Sequence, residues 1–221
     1  MKKQFLNIAC ILLISIGAVS CKENTKDSET NEVEAVAEAS NDATNFTVDT
    51  EKSKISWKGE KPTGTHYGTI KIASGTVSAE NKDIQAGNFT IDMKTIESED
   101  LEGDSKANLE AHLMGTVEGK EGDFFNVNAY PTSTFELTSV EGEGGNVTVK
   151  GNLTIKDKTN AIEFPATVSF PGDTMLLKSE TFTIDRTKWD VNYGSKSIFD
   201  NLGDKFISDE IELTVELHAS K

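Results

Sequence analysis

The chain has 221 residues, with 37 Asp or Glu against 22 Lys or Arg, for a formal net charge of −15. Nucleic-acid binding is disfavoured, because phosphate contacts need clustered Lys and Arg, and so is electrostatic attraction to anionic lipid. Both cysteines, Cys10 and Cys21, fall at the front of the chain, so the remainder can form no disulfide and must be held together by its core.

Lys2 and Lys3 precede an apolar run from Phe5 to Val19, short for a membrane span and patterned as a secretory signal peptide over residues 1–20. The run ends in Ala18-Val19-Ser20-Cys21, small residues leading directly into a cysteine. This resembles a lipobox, the site where bacterial lipoproteins are cleaved and diacylated, with Ala18 where Leu is more usual. The resemblance implies acylation of Cys21 and residence in the cell envelope, on the periplasmic face of the outer membrane or the cell surface. An ordinary secreted protein cleaved nearby is the alternative. Acyl chains contribute about 0.8 kcal/mol per buried CH₂ and stable anchoring takes more than one chain or signal, a requirement that a diacylated Cys21 meets. Residues 21–45 then turn to Glu, Asp, Ser, Thr, Asn and Ala, too poor in large apolar groups to offset the entropy of ordering, and are predicted to be a disordered acidic linker.

Residues 46–221 suit one domain, since a chain of this size buries roughly 70% of its unfolded surface. Apolar residues alternate with polar ones at Phe46 and Val48, Ile55 and Trp57, Ile70 and Ile72, and Phe89, Ile91 and Met93. Leu109 and Leu113 fall one helical turn apart, which predicts a short helix over Ser105–Leu113 with a narrow apolar stripe suited to a lid over a barrel end. Alternation resumes at Phe135 and Leu137. It is clearest over residues 146–170, where Val147, Val149, Leu153 and Ile155, then Ile162, Phe164, Ala166, Val168 and Phe170, share one face. With a turn placed at Asp157–Asn160, these two runs read as an antiparallel hairpin. Phe182 and Ile184 follow, and Ile211, Leu213, Val215 and Leu217 make a last half-buried strand. The fold class is therefore all-β, and alternation alone does not separate a sandwich from a barrel.

Several segments carry a resemblance. Phe46-Thr47-Val48-Asp49 with Ser53-Lys54-Ile55-Ser56-Trp57 is similar to the first strand of the YceI-like family. Asp123-Phe124-Phe125-Asn126-Val127 with Tyr130-Pro131-Thr132, Gly151-Asn152-Leu153-Thr154-Ile155 with Lys158-Thr159, and Ile184-Asp185-Arg186-Thr187-Lys188-Trp189 resemble its later elements in the same order. The resemblance spans essentially all of residues 46–221. It implies a single antiparallel lipocalin-like β-barrel of about eight strands, with the short helix near one end and an apolar tunnel for a polyisoprenoid or other long-chain amphiphile. It further implies a tunnel lined by Trp57, Phe89, Ile91, Leu113, Phe124, Phe135, Leu137, Leu153, Ile155, Phe164, Val168, Phe182, Ile184 and Trp189. Two departures stand out: Met114–Gly122 is longer than the family's link, and Asp190 stands where Gly usually follows the aromatic.

Catalytic and metal-binding signatures are missing from the sequence. His66, His112 and His218 have no metal-ligand spacing, and the acidic runs 97–104 and 200–209 do not follow an EF-hand loop. There is no Gly-x-Ser-x-Gly, phosphate loop or dinucleotide fingerprint. Arg186, the chain's single arginine, has two readings: pairing with a carboxylate to pin the following loop, or bidentate capture of a ligand headgroup. The expectation is a non-enzymatic binding protein without cofactor beyond a bound isoprenoid-type lipid, attached to the membrane through acylated Cys21, with a homodimer left open. The rival is a lipoprotein whose barrel is packed solid and which works through protein contacts.

Overall fold

A computed structural model of the chain describes Lys26, Asp27 and residues 32–221; the leader expected over 1–20 and Cys21 lie outside these. The strands are β1 (Lys26–Asp27), β2 (Thr44–Val48), β3 (Lys54–Lys61), β4 (Gly64–Glu80), β5 (Asp83–Ser98), β6 (Thr132–Glu143), β7 (Asn146–Ile155), β8 (Lys158–Ser169), β9 (Thr174–Ser179), β10 (Phe182–Asp185) and β11 (Glu210–Ser220). One α-helix, α1 (Gly103–Met114), lies between β5 and β6.

β2 and β3 both lie between β4 and β11, and β9 and β10 both pair with β11, so each couple acts as one interrupted strand of the wall. Counted this way, the strands form an antiparallel ring of eight, closed by β11 onto β2 and β3. This is the barrel that the family resemblance implied and that alternation alone did not separate from a sandwich, and closure leaves the ring few free edges.

The hairpin β7–β8 shows how sequence sets the wall. Val149 faces Phe164, Gly151 faces Ile162 and Leu153 faces Asn160 across the pair. Pairing continues to Ile155–Lys158, so the turn is the two residues Lys156-Asp157, with Lys156 at φ 56°, and not the predicted Asp157–Asn160. Tight turns of this kind match the twist of the strands they join. The β4–β5 turn is similar, with Asn81 and Lys82 at φ 51° and 72°.

The barrel's two ends differ. At one, beneath the β4–β5, β6–β7 and β8–β9 turns, Phe46, Val77, Ala166, Met175 and Ala219 are buried in a packed core, and Phe46 meets Phe170 edge-on at 5.6 Å. At the other end lie the β3–β4 turn, α1 and the loop after it, and the long β10–β11 connection. α1 starts two residues before and ends one residue after the predicted Ser105–Leu113 and buries no residue completely. Its Leu109, Leu113 and Met114 pack on Trp57, Ile91, Met93, Ile96 and Val127, as a lid would.

From residue 32 onward, the stretch predicted to be a free linker is part of the folded unit. Asn152 on the outer wall of β7 accepts a hydrogen bond from the Glu34 N–H (3.0 Å) and donates to the Glu34 carbonyl (2.8 Å). The Ala37 N–H then donates to the Leu137 carbonyl at 2.9 Å, beside the β6–β7 irregularity between Leu137 and Ser139. Ser40 reaches Gln85 and Glu80 near the β4–β5 turn, just before β2 begins. Composition underestimated this order because backbone hydrogen bonds, not apolar burial, hold the strap. Asn152→Ala is expected to cost about 1–3 kcal/mol, two hydrogen bonds' worth. Limited proteolysis should then cut within 32–43 while the barrel stays intact.

Candidate ligand tunnel

The ring encloses a cavity of about 640 Å³, within the ~300–1,000 Å³ range of small-molecule sites, and its lining is overwhelmingly apolar. A solid interior, as the rival reading required, is not what this barrel has. Of the fourteen residues expected to line a tunnel, twelve border the cavity; Val168 and Trp189 do not. Val168 pairs with Leu177 toward the packed end and is only partly buried there. Trp189 sits in a 3₁₀ turn after β10, has no exposed surface, and donates its indole N–H to the Leu153 carbonyl at 2.9 Å. Both corrections have one physical reason: alternation tells which face a side chain occupies, not its depth along the barrel or what a lone aromatic in a turn packs against.

Residues absent from that expectation also border the cavity, among them Ile55, Ile72, Ile84, Ile211, Val215 and Leu217. The signal for β11 was present in the sequence as strict alternation, and ring closure brings that dry face inward.

Two glycines keep the lumen open. The Phe89 ring lies over Gly75, where an added Cβ would stand 2.6 Å from Phe89 Cδ1 and 2.8 Å from Val48 Cγ2. The Phe135 ring lies over Gly151 in the same way, and a Cβ there would also meet the Glu136 carbonyl at 2.7 Å. With the rings laid against bare backbone, two large side chains cover the wall without crossing the lumen. Gly151→Ala is therefore expected to lose about 1–3 kcal/mol by overpacking. It should also push Phe135 inward and lower affinity for a long-chain amphiphile, as read by urea unfolding and by Trp57 fluorescence titration.

Polarity is concentrated at the lid end, where Lys61, His66, His112, Tyr193, Asp204 and Lys205 border the opening. Deeper in the wall, Ser133 is a buried polar exception whose hydroxyl has no hydrogen-bond partner. His66 Nδ1 is 2.7 Å from Asp100 Oδ2. Burial raises the Asp100 pKa, but hydrogen bonds from His66, the Tyr67 N–H and the Ser98 hydroxyl outweigh it and hold the carboxyl below its ordinary value. His112 Nε2 lies 2.7 Å from Asp123 Oδ2. Its ring packs edge-on against Phe124 at 5.1 Å and Tyr193 at 4.9 Å, tying α1, the following loop and the β10–β11 connection into one jaw. The long link 114–122 runs beside this jaw without lining the cavity.

Arg186 borders the cavity but donates into the protein. Its Nε reaches the Ser208 carbonyl (2.9 Å), one terminal nitrogen the Val191 carbonyl (2.5 Å) and the other the Ile207 carbonyl (3.2 Å). Asp209 lies 3.7 Å away, so the guanidinium is 2% exposed and engaged with both ends of the β10–β11 connection. Burial lowers its pKa, and Asp209 and Asp185 oppose that. The loop-pinning role fits this geometry, and the headgroup role does not. Asp190 keeps the turn after Trp189 in the left-handed region at φ 56°, a conformation Asp tolerates better than most residues.

Among the described residues, no group of three or more His, Cys, Asp or Glu is placed to hold a metal ion. Comparison with known proteins agrees with the fold. Protein YceI of Salmonella arizonae is 31% identical over 109 residues, 48% of this chain and 51% of that protein, so the chain spans about half the length of the curated relatives it matches. The crystal structure of Burkholderia cenocepacia BcnA superposes with a TM-score of 0.60 at 24% identity, covering 78% of this chain and 99% of that one. A polyisoprenoid binding domain from Saccharophagus degradans, implicated in plant cell wall breakdown, superposes with a TM-score of 0.55 at 11% identity, covering 79% and 97%. The YceI-like domain matches residues 46–219, and the chain belongs to that family.

Proposed function

We propose that this protein holds a polyisoprenoid or other long-chain amphiphile in its barrel and serves to sequester, store or carry it in the cell envelope, without catalysing a reaction. The observation that carries the reading is the enclosed apolar cavity of about 640 Å³ with polar groups confined mainly to one end. Apolar surface leaving water contributes about 25 cal/mol per Å², so a long chain threaded into such a lumen is retained without any strong polar contact. The polar rim leaves room for a hydrated head outside. The polyisoprenoid-binding domain with the same fold supports the choice of ligand class.

Membrane attachment through a diacylated Cys21 belongs to the same proposal, supported by the lipobox-like Ala18-Val19-Ser20-Cys21. Labelling with a radioactive fatty acid tests it: label should appear on the native chain and vanish in Cys21→Ala. The tunnel is tested by titrating delipidated protein with a prenyl alcohol. Saturable one-to-one quenching of Trp57, which borders the cavity, supports it; no saturable response contradicts it.

A further inference from the structure

The connection between β10 and β11 forms one lip of the tunnel mouth, with Tyr193, Asp204 and Lys205 turned to the cavity. Its tip turns outward and displays two consecutive apolar residues, Ile198 at 52% exposure and Phe199 at 48%. They are held there by structure. The N–H groups of Ile198 and Phe199 both point to the carbonyl of fully buried Ser195, at 3.4 and 2.9 Å, and the Ile207 N–H donates to the Gly194 carbonyl at 2.8 Å. Arg186 clamps the neck of the same loop through Val191, Ile207 and Ser208. Tyr67 and Tyr193, at 49% and 41% exposure, lie at the same end of the barrel.

We propose that this lip is a bilayer-docking surface, with Ile198 and Phe199 inserting among the acyl chains so that the tunnel mouth meets the membrane directly. The inference rests on the amphiphile reading above. An apolar tunnel that opens into water makes its cargo cross water chain-first, whereas a mouth seated on a bilayer lets apolar surface pass from lipid to lumen without exposure. Side chains that reach the headgroup–acyl boundary are what such seating requires. Insertion is hydrophobic, because the chain's net charge of −15 argues against attraction to anionic lipid.

The length of chain before the described barrel sets how far away a bilayer can be. β1 pairs in parallel with β10, Lys26 opposite Phe182, which ties the start of the described chain to the strand that leads into the lip. Lys26 is five positions after Cys21, a reach of at most about 18 Å. An acyl chain on Cys21 would therefore keep the β10 wall within about 18 Å of a bilayer, and the exposed apolar lip decides which end of the barrel meets it.

The test uses the native full-length protein on phosphatidylcholine vesicles carrying brominated acyl chains. Trp57 and Trp189 are buried, so Phe199→Trp supplies the reporting indole, and Leu176→Trp on the exposed outer wall of β9 is the control. The fluorescence added by Phe199→Trp should fall by at least half, with the control unaffected. Equal quenching of the two, or none, overturns the proposal, and a lip made for a protein partner would give the latter. Ile198→Asn combined with Phe199→Asn should slow movement of a fluorescent prenyl-chain amphiphile between vesicles about tenfold while the load bound to purified protein is unchanged. Unaltered transfer with a normal load also overturns docking. Quenching of Phe199→Trp in a protein that holds no amphiphile would keep the lip and sink the tunnel instead.

Discussion

Phe164→Asp is expected to empty the tunnel. Phe164 is 5% exposed, stacks on Phe182 with ring centroids 4.5 Å apart and planes 9° from parallel, and lies 5.9 Å from Phe135. The three rings form a continuous aromatic wall contributed by β8, β10 and β6. Removing the ring alone costs about 3–5 kcal/mol in a typical core. The new carboxyl would sit in apolar surroundings that raise its pKa and, once ionised, draw water into the lumen. Amphiphile retention should be lost, and urea unfolding should show the matching loss of stability. Leu153→Arg, one strand away and also on the cavity, should behave alike. Phe164→Leu separates the two effects, since it should stay folded and keep most of its load. A folded Phe164→Asp or Leu153→Arg protein that extracts with undiminished lipid would contradict the tunnel.

Arg186→Ala is expected to give the largest loss of stability without a direct loss of ligand contacts. It removes three hydrogen bonds to carbonyls at both ends of the β10–β11 connection and leaves Asp209 without its cationic neighbour. Breaking a buried charged partnership in this way typically costs about 3–5 kcal/mol, much of it from the groups left unpaired. Arg186→Lys should recover only part of this, because an ammonium cannot reach three carbonyls in the plane that the guanidinium spans. Hydrogen exchange should show the damage concentrated in residues 190–209. Were Arg186 instead a headgroup ligand, Arg186→Ala would weaken binding of a charged-head amphiphile far more than of a neutral one, at nearly unchanged stability.

Much of the barrel could be read from residues in alternation. The 146–170 hairpin formed with its dry face inward, and the same pattern in β5, β6 and β11 marked the walls that close around the cavity. Period-two alternation is a local consequence of pleating, so sequence carries it strongly. What it does not carry is position along the barrel axis, which is why Val168 fell at the packed end. It is equally silent on lone residues in turns, which is why Trp189 proved to be packing against the wall. The hollow itself depends on Gly75 and Gly151 receiving Phe89 and Phe135, an arrangement visible only once strands are in register. The polar rim of His66, His112 and Lys205 gathers residues from β4, α1 and the β10–β11 connection, far apart in the chain. The strap at Glu34 to Ser40 was hidden for a different reason: its hold is backbone hydrogen bonding to Asn152 and Leu137, which composition does not register.

The tunnel's occupancy decides the rest. Cys21→Ala protein, which needs no detergent to leave the membrane, should carry a discrete additional mass when purified from its own cells and weighed by native mass spectrometry, released on gentle activation as a long-chain amphiphile. Phe164→Asp added to Cys21→Ala should appear at the bare polypeptide mass under the same conditions. A Cys21→Ala protein that flies only at its own mass, and that takes up no prenyl alcohol when offered it, would contradict a lipid-holding barrel.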